Sequence, residues 1–235
     1  MLPLKRTDYK QGWHRGLIES ISISLAGGLF GLGVGALASE NGLSFMQSAL
    51  MSVTMYAGAA QVIAIGMLSA PFSLPVLLLT VLLITARYGL MSFSLRAYFE
   101  KVSWRSLALS LHTVMDENWA LTLLRARTHR SALFLYGYFL GSGVLAYIIY
   151  VASSMLGYIA IKAYHHSQII ELSFVFSAVF IAMLSGSWRG KKDILPWVAS
   201  FILAIMFKKL LPGSLYIVSA GVLASLIGLA YESFE

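Results

Sequence analysis

Arg87 stands inside an otherwise apolar run, preceded by Leu82-Leu83-Ile84-Thr85-Ala86 and followed by Tyr88-Gly89-Leu90-Met91. A guanidinium at the centre of a membrane helix costs about 2.5–3.5 kcal/mol on insertion scales. It either faces the protein interior and pairs with an anion, or snorkels to the headgroups alongside Arg96. Anions are scarce here. Asp116, Glu117 and Asn118 form the concentrated acidic site of the chain's centre, flanked by His112 and Trp119. On a helix His112 and Asp116 share a face, and a proton or an amine could be handled between them. A solvated loop accounts for the same residues, whereas the surrounding Leu107, Leu109, Leu111, Val114, Met115, Leu121, Leu123 and Leu124 point to an interior or interfacial site.

A third feature breaks a rule of membrane segments. Ser52-Val53-Thr54-Met55-Tyr56-Ala57-Gly58-Ala59-Ala60-Gln61 puts tiny residues and an amide in the middle of an apolar block. Hydrocarbon cannot hydrogen-bond a loosened backbone or a bare amide, so such a break faces protein or water. Other chemistries lack their residues. There is no cysteine, which removes thiolate metal sites, thiol nucleophiles and disulfides. The five histidines show no ligand spacing, and His165-His166 reads as a wet loop. No phosphate-binding Gly-rich loop followed by Lys-Ser, no G-x-S-x-G elbow and no paired zinc histidines occur. The expectation is a protein that is not an enzyme and needs no cofactor; a primary ATP-driven pump acting alone is disfavoured.

These residues must be held by membrane helices. With 58% hydrophobic residues, 11% charged and a mean hydropathy of +0.78, the chain has too little polar surface to coat a soluble domain. The formal charge of +7 comes from short Lys/Arg clusters between apolar stretches. That pattern marks cytoplasmic flanks of membrane helices and not a nucleic-acid surface. The fold class is an all-α integral membrane protein in the lipid bilayer, one polytopic permease domain over 1–235, with about seven hydrophobic segments. At about 20 residues per crossing the blocks are 17–38, 43–69, 72–95, 132–157, 169–188, 194–211 and 213–231. Residues 1–16 form a basic N-terminal segment expected in the cytoplasm, without a clear cleavage site. Residues 96–131 form a charged amphipathic centre.

Counting crossings leaves two topologies. If all seven blocks cross, the six Lys and Arg residues between Arg96 and Arg130 fall outside, against the positive-inside tendency. Either Leu107 to Leu124 is an eighth crossing, or the block 43–69 is broken at Ala57-Gly58-Ala59-Ala60 and re-enters. Both place Arg189, Lys191 and Lys192 inside; the weakened helix at the glycine and alanines favours the break. Three blocks before the charged centre and four after it give a weak symmetry of the kind inverted-repeat transporters show. Gly27, Gly31 and Gly35 align on one helix face, as do Gly137 and Gly141, and both faces read as close helix packing.

Three pieces of the chain resemble the AzlC family, the large subunit of bacterial branched-chain amino-acid exporters. Ser48 through Gln61 is similar to its glycine-containing, glutamine-terminated second segment. Thr85-Ala86-Arg87-Tyr88-Gly89-Leu90-Met91 resembles its arginine-aromatic motif, and Asp116-Glu117-Asn118-Trp119-Ala120-Leu121 its central acidic pair. Their order and spacing match over most of the chain. Thr85 stands where members usually carry Asn, and Ala26-Gly27 where they usually carry Pro.

The resemblance implies a bacterial cytoplasmic (inner) membrane permease that works with a small AzlD-like membrane subunit. It implies export of valine, leucine, isoleucine or analogues, coupled to protons. Such a zwitterion needs a cation for its carboxylate, acceptors for its ammonium and an apolar pocket. Arg87 can offer the first; Asp116 or Glu117, with Gln61 and carbonyls near Gly58, the second. Tyr56 and Asn118 complete the expected substrate-binding set. A channel or carrier for another small metabolite, a non-transporting scaffold subunit and a membrane-embedded enzyme are the competing readings.

Overall fold

Small residues at near four-residue spacing decide how the longest helices meet. The computed structural model describes residues 6–68, 73–100, 102–129, 131–163 and 194–210, with a few isolated positions between 181 and 228. Every regular element among the described residues is helical. They are α1 (Arg6–Glu19), α2 (Ile21–Glu40), α3 (Phe45–Thr54), α4 (Gly58–Leu68), α5 (Leu74–Leu95), α6 (Trp104–Ser110), α7 (Asp116–Ala126), α8 (Ala132–Ala163) and α9 (Ile194–Leu210). The chain divides into two compact units, Met1–Gln61 with Thr85–Gln168, and Val62–Ile84 with Ile169–Glu235.

In the first unit α1 and α2 join through Ser20, which keeps a near-helical backbone (φ −93°, ψ −3°). Helical hydrogen bonds run through the joint, from Ser20 N–H to the Gly16 carbonyl at 3.2 Å and from Ser24 N–H to the Ser20 carbonyl at 2.7 Å. The resulting rod lies along α8 in the same direction. Gly12 meets Phe134, Gly16 meets Tyr138 and Ser142, Gly28 meets Ile149 and Ser153, and Gly35 meets Ser154. From the other side Gly137 and Gly141 receive Tyr9 and Trp13, and Gly157 receives Leu32. A Cβ at most of these glycines would enter the facing backbone, so the contact exists only because the residues are small. The packing expected of Gly31, Gly35, Gly137 and Gly141 is present. Gly27 lies off the stripe, with nothing within 4 Å of where its Cβ would be.

Among the described residues, three helical stretches are long and apolar enough to cross a membrane: Ile21–Glu40, Leu74–Tyr98 and Ala132–Ala163. They correspond to the blocks 17–38, 72–95 and 132–157. The block 194–211 appears as α9, of 17 residues. The block 169–188, most of 213–231, and Lys101, Arg130, His165-His166, Arg189, Lys191 and Lys192 lie outside the described residues.

Two stretches are divided. The block 43–69 forms α3 and α4 with non-helical Met55–Ala57 between them, just ahead of the expected break point. At 10 and 11 residues, each half rises only about 15–17 Å, half of the hydrocarbon thickness. The stretch from Leu107 to Leu124 is also interrupted. α6 ends in a 3-10 turn at Leu111–Thr113, Val114 and Met115 are extended, and α7 starts at Asp116. This removes a single continuous helix as an eighth crossing. His112 and Asp116 therefore do not share a helix face, because two extended residues separate their turns. Leu95, Phe99, Val102, Leu107, Val114, Leu135 and Phe139 form the core beneath this segment.

In the second unit α9 carries Lys208 and Lys209 in its last turn, where cations meet the negative end of the helix dipole.

Candidate functional site

The helix that leads into the break is capped at both ends. Ser44 and Gln47 cap α3 reciprocally, with backbone-to-side-chain bonds of 3.2 and 2.8 Å. At the other end the Val53 carbonyl, which α3 no longer satisfies, accepts from His112 Nε2 at 2.9 Å and from the Tyr147 hydroxyl at 3.0 Å. Gly58 restarts the helix where a Cβ would collide with the Phe30 ring. Gln61 is fully buried: its Nε2 donates to Ser52 Oγ at 3.3 Å and its Oε1 accepts from the Tyr150 hydroxyl. Ser52 in turn pairs with Ser154 Oγ at 2.7 Å. The amide thus ties α3 and α4 to α8 across the break. Gln61→Ala strands the buried Tyr150 hydroxyl, at about 1–3 kcal/mol, and leaves Ser52 paired with Ser154 alone. We expect a thermal midpoint in detergent several degrees below wild type, with transport per folded molecule largely kept.

Asn118 is another clamp. Its Oδ1 accepts from Met115 N–H at 2.8 Å and its Nδ2 donates to the Thr113 carbonyl at 2.7 Å, which fixes the turn that starts α7. That turn brings Asp116 to α5. Arg87 Nη2 lies 3.0 Å from Asp116 Oδ2 and donates to the Tyr88 hydroxyl at 3.1 Å, with the guanidinium 5.0 Å from the Tyr88 ring centroid. The pair is about half exposed, 46% and 43%. The charge inside the apolar run is therefore paired with an anion, at a half-exposed position and not in the interior. Asn118→Ala removes both turn bonds, and we expect about 1–3 kcal/mol of lost stability, readable in thermal unfolding.

Beside the pair lies a small cavity between α2, the break, the start of α7 and α8, reached by Ser24, Gly27, Tyr56, Glu117, Asn118 and Tyr150. The space open to a water's centre is about 10 Å³, enough for one water-sized guest. Three oxygens here are buried without a protein hydrogen-bond partner: Ser24 Oγ, the Tyr56 hydroxyl and Glu117 Oε2. Tyr56 stacks edge-on against Tyr147 and Tyr150, at 5.1 and 5.3 Å between centroids. Glu117 is on α7, too short to cross a bilayer. Burial pushes its carboxyl above the ordinary range, reinforced by Asp116 and opposed by its own backbone N–H and by Arg87.

The AzlC protein family matches residues 22–163, which contain Ser24, Tyr56, Gln61, Arg87, Asp116, Glu117, Asn118 and Tyr150. The chain belongs to the AzlC family. Among its relatives, a protein of Helicobacter pylori strain J99 described as an uncharacterized membrane protein is 27% identical over 183 residues, 77% of this chain and 78% of its own. A second, from Helicobacter pylori strain 26695 and described in the same words, is 28% identical over 172 residues, 73% of each chain. No solved structure matches. AzlC membership makes this a membrane protein with a transport-related role.

Of the seven residues expected to line this AzlC-family site, the structure brings Arg87 to Asp116 and Tyr56 to Glu117. Gln61 and Asn118 have their polar atoms engaged within the protein, and Gly58 supplies close approach to Phe30 and Tyr150. Ser24, Tyr150 and Ser154 were missed by sequence reasoning. The signal was present, since Ser142, Ala146, Tyr150 and Ser154 follow a four-residue stripe on α8, and Ser24 interrupts an apolar helix.

Proposed function

We propose that the chain is the large subunit of a secondary exporter of branched-chain amino acids in the bacterial cytoplasmic membrane. It exchanges valine, leucine, isoleucine or analogues against protons and works with a small AzlD-like membrane subunit. The observation that carries the reading is the half-exposed Arg87–Asp116 pair. A zwitterion is the complement of such a pair: its carboxylate takes Arg87 and its ammonium an acidic oxygen, so substrate enters by exchanging partners and not by dehydrating a free charge. AzlC membership supports the transport class, and the resemblance of the three motifs supports the substrate. Lys10, Arg15 and His14 gather with His129 where α1 meets the start of α8, which supports a cytoplasmic N-terminus by the positive-inside tendency.

Efflux from cells preloaded with a panel of amino acids tests the reading. We expect selective loss of valine, leucine and isoleucine, collapsing when the proton gradient is dissipated. Efflux of an unrelated metabolite instead would make the chain a different carrier. Efflux unchanged by the chain, even with its small partner present, would leave a scaffold.

A further inference from the structure

We propose that the chamber formed by Ser24, Tyr56 and Glu117 is a single-occupancy exchange site, in which Glu117 holds either a proton or the ammonium group of the substrate and never both. The inference rests on the export reading above and assigns the residue that couples the two fluxes. The three oxygens come from α2, the break and α7; all are buried and lack protein partners, with Ser24 and Tyr56 exposed by only 1% and 5%. A primary ammonium presents three N–H donors, and the chamber presents three oxygens, one of them acidic. Its free space of about 10 Å³ admits one water-sized group and excludes an amino-acid side chain.

Charge makes the occupancy exclusive. A neutral Glu117 donates its own O–H within the chamber, and an ionised Glu117 beside an ammonium is also neutral overall. An ionised and unpaired Glu117 is the state that burial penalises. On one side of the membrane the Glu117 O–H bond breaks, the proton leaves to water and the ammonium takes its place. On the other side the ammonium departs and a proton from water re-forms the O–H; no covalent bond of the substrate changes. The groups acting on Glu117 are Asp116 on its own helix, Arg87 and Tyr88 from α5 and Tyr56 from the break; Tyr150 from α8 shares the chamber, whereas Tyr147 from α8 and His112 from the 3-10 turn pack against Tyr56. Arg87 is already opposed by Asp116, which leaves burial as the dominant influence on Glu117. From α2 the chamber receives no titratable group.

Leucine binding to the full chain, purified with whatever membrane partner accompanies it, is measured from about pH 5 to 8, together with leucine efflux from loaded cells. Wild-type affinity is expected to fall as the medium is acidified, by up to about tenfold per pH unit once Glu117 is protonated. Glu117→Gln should bind leucine at least about tenfold more weakly with a flat pH profile, whereas Tyr56→Phe and Ser24→Ala weaken binding about threefold or more and keep the slope. His112→Gln also keeps it. A carboxyl with a raised folded pKa contributes stability below its ordinary pKa and loses it as pH rises through the folded value. The thermal midpoint of Glu117→Gln at neutral pH should therefore equal or exceed that of wild type. A lowered midpoint would make Glu117 a structural residue and overturn the assignment. So would wild-type affinity and slope in Glu117→Gln, or a slope that vanishes only in His112→Gln. Wild-type efflux of leucine with pH-independent binding sinks the exchange site alone, whereas no leucine efflux from wild type sinks the export reading beneath it.

Discussion

Replacing Arg87 by alanine is expected to abolish branched-chain amino-acid efflux while leaving the protein inserted at normal levels, and Asp116→Asn is expected to do the same. The two consequences separate because of where the pair sits. As a half-exposed ion pair it contributes at most about 1 kcal/mol to stability, so the fold survives its loss. Transport depends on it more steeply. A carboxylate that enters a partly dehydrated site without its guanidinium loses a charge-assisted contact of about 2–5 kcal/mol, a decrease of roughly thirtyfold to several thousandfold. Efflux of labelled leucine per inserted molecule, with membrane insertion measured by immunoblot of the membrane fraction, checks both halves. Leucine efflux at the wild-type rate in both variants would remove the pair from the mechanism. Arg87→Lys is an informative intermediate, since an ammonium keeps the charge and gives up the planar, two-pronged donor geometry.

Gly35→Leu is expected to have the largest effect on stability. A Cβ at Gly35 already enters the Ser154 carbonyl, and Ser154 Oγ belongs to the network that runs through Ser52 to Gln61 and the break. Forcing α2 and α8 apart therefore costs more than the about 1–3 kcal/mol of a local overpacking, because the bonds across the break lengthen with it. We expect the variant to be recovered mostly aggregated or degraded, and any soluble fraction to melt far below wild type in detergent. Gly27→Ala is the matched control. Nothing lies within 4 Å of its Cβ position, and alanine is the better helix former, so its thermal midpoint should be unchanged or slightly raised. Loss of stability in Gly27→Ala comparable to that in Gly35→Leu would refute the glycine stripe as the basis of the helix contact.

Much of this architecture could be read from residue order. Apolar length marked α2, α5 and α8 as crossing helices, and the run from Ser52 to Gln61 marked a break that exists, shifted to Met55–Ala57. The glycine pattern was legible in part. Gly31 and Gly35 were found, but the stripe that continues through Ser24, Ser20, Gly16 and Gly12 was hidden by the change from apolar to charged surroundings at α1. Packing responds to side-chain size on one face, whereas hydropathy averages over all faces. The two signals part where a membrane helix runs on into a polar one.

What residue order determined by itself was the solvent, the helices and the inventory of charge. An apolar composition leaves no alternative to a bilayer, and an arginine within an apolar helix must find an anion or reach the headgroups. What tertiary structure decided was which groups are free. Sequence placed Gln61, Asn118, Asp116 and Glu117 on equal terms as polar residues in apolar surroundings. Folding saturated the first two with Ser52, Tyr150, Met115 and Thr113, paired Asp116 with Arg87, and left a buried oxygen of Glu117 without a partner, beside a cavity lined also by Tyr56 and Ser24. Hydrogen bonding is satisfied between residues far apart in the chain, as with Ser52 and Ser154, 102 positions apart. The identity of the unsatisfied group therefore follows from packing across helices, and local sequence carries no record of it.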